Sequence, residues 1–133
     1  MRKNKQKPKK MFFIYTKDFF NHLRSELHSE RTIETYCQSL NAFRIYLYET
    51  YSKTVDQITT DFVTEEVIRG FLSSVANSNS VGTRNVRLSG IKAYLKYAAT
   101  RDMELVPLQI SISTVKHLSL IHISEPTRLL SIS

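Results

Sequence analysis

Asn85, Ser89, Lys92 and Lys96 stand at i, i+4, i+7 and i+11 along the chain. At 100° per residue they fall within about 60° of one another on a helix. Arg84 and Arg87 flank the first turn of the same stretch, and no acid interrupts the sequence between Glu66 and Asp102. Lysines neutralise phosphates, while Asn, Ser and Arg side chains reach base edges, so a one-signed row suits a helix lying along DNA. A merely solvated basic face has the same composition, and both readings stand at this point. A second polar group, Ser29, Arg31, Thr32, Thr35, Gln38 and Ser39, opens another helical stretch. Small polar side chains there serve as caps, and the backbone N–H groups of such an end also attract phosphate.

Other chemistry finds little support. His22, His28 and His117 are scattered and show no metal-ligand spacing with Cys37, which is expected on a core stripe. Glu65 and Glu66 open a helix, where acid complements the dipole. Tyr36 and Tyr94 fall on apolar stripes and Tyr51 at a helix end, so none is expected to act as a nucleophile. A single cysteine excludes an internal disulfide framework. Three glycines argue against a phosphate-cradling loop. No catalytic residue, cofactor, metal or small-molecule substrate is expected.

The elements that must position these residues follow from periodicity. The chain has 133 residues, 41% hydrophobic, which suits one domain with a packed core. A first helix starts at Thr16, with Asp18 in its first turn and Phe19, Phe20, Leu23 and Leu27 at helical spacing. A second, long helix from Arg31 to Tyr51 lines one face with Ile33, Tyr36, Cys37, Leu40, Phe43, Leu47 and Tyr51. Ser52 to Thr60 lacks periodicity and is read as a loop. A third helix starts near Asp61 or Thr64 and buries Val67, Ile68, Phe71, Leu72 and Val75. Asn77 to Ser80 is read as a loop by composition. A fourth runs from about Val81 to Ala99 with Leu88, Ile91, Tyr94, Leu95 and Ala98 inward. The expected fold is all-α, a compact four-helix bundle.

The ends read differently. The net charge is +7, and residues 1–10 hold Arg2, Lys3, Lys5, Lys7, Lys9 and Lys10 without an acid. Residues 1–13 are expected to be a disordered basic arm. The helical domain is placed at 14–106. Pro107 and the β-branched stretch to Val115 predict an extended linker over 107–117. Leu118 to Arg128, LSLIHISEPTR, reads as the translation of a transposon-based sequencing adapter, so 118–133 is set aside from fold reasoning and the gene is expected to continue past about His117. MFFIY at 11–15 is too short for a signal peptide. No apolar run approaches a membrane span. A cytoplasmic location is expected.

Residues 29–43, SERTIETYCQSLNAF, are similar to the S-x-x-T-x-x-x-Y-x-x-x-L-x-x-F run of tyrosine recombinases, the phage-integrase family. Ser80, Thr83, Asn85, Arg87, Leu88, Ile91, Lys92, Tyr94, Tyr97 and Ala98 resemble that family's S-x-x-T-x-N-x-R-L-S-x-I-K-x-(F/Y)-x-x-Y-A helix. The pair, in order and with a short helix between, matches the N-terminal core-binding domain, often called SAM-like, over about residues 14–106. The resemblance implies a domain that clamps duplex DNA together with a larger catalytic domain, near the exchange site. It implies that the nucleophilic tyrosine and its arginine- and histidine-containing partners belong to that second domain, so this fragment is not itself expected to be an enzyme. The expected partners are double-stranded DNA and other recombinase protomers. The DNA-binding candidates are Arg31, Thr32, Thr35, Gln38, Thr83, Arg84, Asn85, Arg87, Ser89, Lys92 and Lys96.

A helical protein-interaction module with a basic solvated face is the alternative. A partner-binding face exposes apolar anchors, whereas this row exposes amide, hydroxyl and ammonium groups. A helix-turn-helix regulator fits less well, because the two long helices are separated by about thirty residues rather than by a short turn.

Overall fold

Ser29 accepts a hydrogen bond on its side-chain oxygen from the Thr32 N–H, and α2 (Glu30–Tyr51) begins there. Thr64 caps α3 (Glu65–Ser78) through the Val67 N–H, and Ser80 caps α4 (Val81–Arg101) through the Thr83 N–H. Each cap satisfies an N–H that a helix start leaves without an intrahelical partner. α1 (Thr16–Ser25) precedes them, and α5 (Val106–Ser113) follows. The structure, a computed structural model, describes residues 10–118. Among the described residues the fold is all-α, with three short 3-10 turns at Phe12–Tyr15, Val55–Gln57 and Met103–Leu105.

α4 touches all the other helices. Its inner stripe, Leu88, Ile91, Tyr94, Leu95 and Ala98, is buried against Ile33, Leu40, Phe43 and Leu47 of α2 and Val67, Ile68, Phe71, Leu72 and Val75 of α3. These are the inward positions that the spacing predicted. Phe43 and Phe71 pack with ring centroids 5.0 Å apart, and Phe19 meets Tyr94 edge to face at 5.6 Å.

Several expectations need correction. The all-α bundle stands, and among the described residues a fifth α-helix joins the four expected ones. The chain over 107–113 is helical rather than extended: Pro107 sits in the first turn of α5, where its missing N–H costs nothing, and Ile112 and Val115 are buried. The arm cannot reach residue 13. Phe12 and Phe13 are buried, the Phe12 N–H donates to the Ile58 carbonyl, and the Thr60 N–H donates to the Lys10 carbonyl. The rest of the basic arm and all of the adapter-like tail beyond Leu118 lie outside the described residues.

Two side chains expected on stripes point to water. Cys37 is exposed on α2, whereas Tyr51, at the end of that helix, packs edge to face on Phe62 at 5.2 Å. Leu27 is 90% exposed. It follows the end of α1 with φ 61°, its N–H bonds the Arg24 carbonyl, and the next N–H, of His28, bonds the Leu23 carbonyl. That is a Schellman end with leucine in the left-handed position, which turns its side chain away from the stripe. The loop expected at 77–80 shrinks to Asn79 and Ser80, because Asn77 and Ser78 complete the last turn of α3.

Candidate nucleic-acid interface

The α2–α4 seam sets the geometry of both polar groups. Gly90 is buried in it, and a Cβ there would lie 2.5 Å from the Ser39 Cβ. Glycine therefore lets two helix backbones approach, at a position where it costs about 1 kcal/mol of helix propensity relative to Ala. The Ser39 hydroxyl lies 3.0 Å from the Thr35 carbonyl of its own helix and 3.4 Å from the Val86 carbonyl of α4. By helical position, Ser89, Lys92 and Lys96 on α4 fall within about 60° of one another, outside the buried stripe, and Arg31, Thr35 and Gln38 fall likewise on α2. Arg31, Gln38 and Lys96 are exposed, and Thr35, Ser89 and Lys92 are half-buried.

The remaining candidates divide by what they touch. Thr32 and Thr83 occupy equivalent places, each in a first turn with its N–H on the cap serine and its hydroxyl oxygen accepting from that serine, at 2.9 Å and 3.0 Å. Arg87 is half-buried near the start of α4. Arg84 does not belong to the outer row: it is 8% exposed, and it donates to the Lys116 carbonyl at 2.8 Å and to Asn85 Oδ1 at 3.0 Å. Burial, and then the charge of Arg69, lower its pKa, yet a guanidinium stays charged at neutral pH. Its spacing with Leu88, Ile91 and Leu95 was the available signal, since i, i+4, i+7, i+11 is the inner stripe. Asn85 and Ser89 are also engaged, by Leu118 and His117. No local signal announces contacts that span about thirty residues.

The inner side of α4 is pinned by the N-terminal segment. The Tyr94 hydroxyl donates to the Phe12 carbonyl and receives the Tyr15 N–H at 3.3 Å. Burial pushes the Tyr94 phenol well above its ordinary pKa. Asp102, buried at the end of α4, accepts from the Tyr15 hydroxyl at 3.1 Å and lies 3.8 Å from Lys10 Nζ. Burial first, and the hydrogen bond to Asp102 second, raise the pKa of Tyr15. Beside Lys96, a cavity of about 400 Å³ opens between α1, α2 and α4, lined by Phe19, His22, Tyr36 and Tyr97 among others. Among the described residues no cluster of His, Cys, Asp and Glu could hold a metal ion, and no helix is long and apolar enough to cross a membrane.

No curated protein and no solved structure matches the chain. A family model does: "Phage integrase, N-terminal SAM-like domain" covers residues 16–102, from the start of α1 to the aspartate that ends α4. The match takes in both polar groups and the whole α2–α4 seam, more than half of the sequence, and on that ground the chain belongs to the phage integrase family through its N-terminal SAM-like domain.

Proposed function

We propose that this domain binds duplex DNA beside the strand-exchange site of a tyrosine recombinase, and that a separate catalytic domain of the intact protein cuts and rejoins the strands. The observation that carries this reading is the outer side of α4. Lys92 and Lys96 stand there in a stretch without acids, and none of the ion pairs among the described residues involves either lysine. Arg31, Thr32, Thr35 and Gln38 at the start of α2 and Thr83 and Arg87 at the start of α4 flank them as further contacts. Arg84 is left out, because it faces inward. Against the protein-interaction alternative, Val86 is the one large hydrophobic side chain of α4 counted among the exposed ones in the described residues.

Lysines on phosphates release counterions, so affinity falls as salt rises, by about 0.9 log units per tenfold salt for each phosphate neutralised. The test is fluorescence anisotropy with a labelled duplex across a salt series. We expect weak, largely sequence-tolerant binding that weakens steeply with salt. The weakness follows from half a clamp, which lacks the avidity of the second domain. Lys92→Ala should lower the log–log slope by about one unit. Affinity that ignores salt would overturn the reading.

A further inference from the structure

Beyond the buried Val115, residues 116–118 run without helical structure across the first three turns of α4. Four hydrogen-bond contacts hold them. Arg84 Nη1 donates to the Lys116 carbonyl at 2.8 Å. Asn85 Nδ2 donates to the Leu118 carbonyl at 2.7 Å, and the Leu118 N–H donates to Asn85 Oδ1 at 2.9 Å. The Ser89 hydroxyl and His117 Nε2 lie 2.8 Å apart. Asn85 thus offers one residue both the acceptor and the donor that a neighbouring β-strand would offer. Three of the four contacts go to main-chain atoms, so they make no demand on the side chains at 116 and 118, and they hold for whatever residue the gene encodes at 118, the first position of the adapter-like stretch.

Burial adds weight to the Arg84 contact. A guanidinium 8% exposed is costly to bury unless its donors are filled. No carboxylate pairs with it among the ion pairs of the described residues, and a main-chain carbonyl takes that place.

We infer that Arg84, Asn85 and Ser89 form a docking track for an extended polypeptide main chain, and that its occupant is this chain's own residues 116–118. The track fixes the path of residues 116–118 after α5. It also withdraws Asn85 and Ser89 from the outer row: a ligand that reaches them must first lift the segment.

Trypsin reads this directly, because it cuts after Lys116, whose carbonyl the track holds. The full chain is digested under native conditions, and the rate at the 116–117 bond is followed by mass spectrometry. Each hydrogen bond contributes modestly, so loss of the two from Asn85 should raise local opening about tenfold. Asn85→Ala is expected to speed cleavage at 116–117 by about that factor, with the rate at the 53–54 bond unchanged. Ser89→Ala and His117→Ala should each act in the same direction and less. The Leu118 amide should be protected from hydrogen exchange in the parent and lose that protection in Asn85→Ala. An unchanged cleavage rate in Asn85→Ala, or a Leu118 amide that exchanges freely in the parent, overturns the inference. Neither readout involves nucleic acid, so the DNA reading succeeds or fails separately.

Discussion

α4 is held by both ends of the described chain, and the two ends grip it differently. Its second half is gripped from inside. Tyr94 is tied to Phe12 and Tyr15, and Asp102 is tied to Tyr15 and Lys10. Its first half is gripped from outside, where residues 116–118 take the side chains of Arg84, Asn85 and Ser89. The outer side of the second half, with Lys92 and Lys96, carries neither grip among the described residues. One helical row that looks uniform in sequence therefore has two working ends. Hydrogen-bonding side chains at one end serve the chain itself, and the ammonium groups at the other make no ion pair among the described residues.

Gly90 sits where the two halves join, and changing it should disturb both. In Gly90→Ala the new Cβ meets the Ser39 Cβ at 2.5 Å, and neither atom can swing aside. Overpacking costs about 1–3 kcal/mol, and so close an approach of two Cβ atoms belongs at the upper end, about 2–3 kcal/mol, against the roughly 1 kcal/mol that alanine returns in helix propensity. Urea unfolding should show a net loss of about 1–2 kcal/mol. Ser39→Gly in the same chain removes the opposing Cβ and should restore much of it. A Gly90→Ala protein as stable as the parent would mean that the helices do not approach this closely.

Tyr94→Phe tests the inner grip alone. It leaves the Phe12 carbonyl without its buried donor, which should cost about 1–2 kcal/mol. The pH dependence gives a sharper signature. The folded pKa of Tyr94 is raised above the ordinary value, which is about 10 in the unfolded chain. Below that pH both states hold the proton, and the contribution to stability is fully present. Above it the unfolded chain loses a proton that the folded chain retains, so stability falls as pH rises toward the folded value. Tyr94→Phe should make the alkaline fall shallower. Tyr15, raised in the same direction, should leave a residual slope. An identical alkaline slope in parent and variant would remove Tyr94 as its source.

Spacing made most of the bundle legible. The inward residues of α3 and α4 follow from a 3.6-residue period, and the caps at Ser29, Thr64 and Ser80 are local chemistry. The resemblance carried by residues 29–43 and 80–98 points to the same family as the match over residues 16–102. What escaped was non-local or hidden by residue type. MFFIY is too short to show a period, and its burial depends on Tyr94 and Ile58, far along the chain. Pro107 reads as a helix stop unless it falls in a first turn, where it is a start. Arg84 kept the inner spacing, but its charge suggested water. The Asn85–Leu118 pairing joins a side chain to a backbone thirty-three residues away, and no pattern in the residues encodes it.

The smallest expected effect separates the two ends of α4 most directly. Lys96 is exposed on the ungripped half, whereas Arg84 is buried with its guanidinium on the Lys116 carbonyl. Both carry one positive charge, so a response to net charge alone would treat them alike. Counterion release does not, because it counts cations that replace ions at phosphates. Lys96→Ala should lower the log–log salt slope of duplex binding by about one unit. Arg84→Gln, checked for an unchanged helical circular dichroism spectrum, should leave the slope where it was. Equal changes in the two variants would mean that the row acts as one surface, and that residues 116–118 stand aside when DNA is bound.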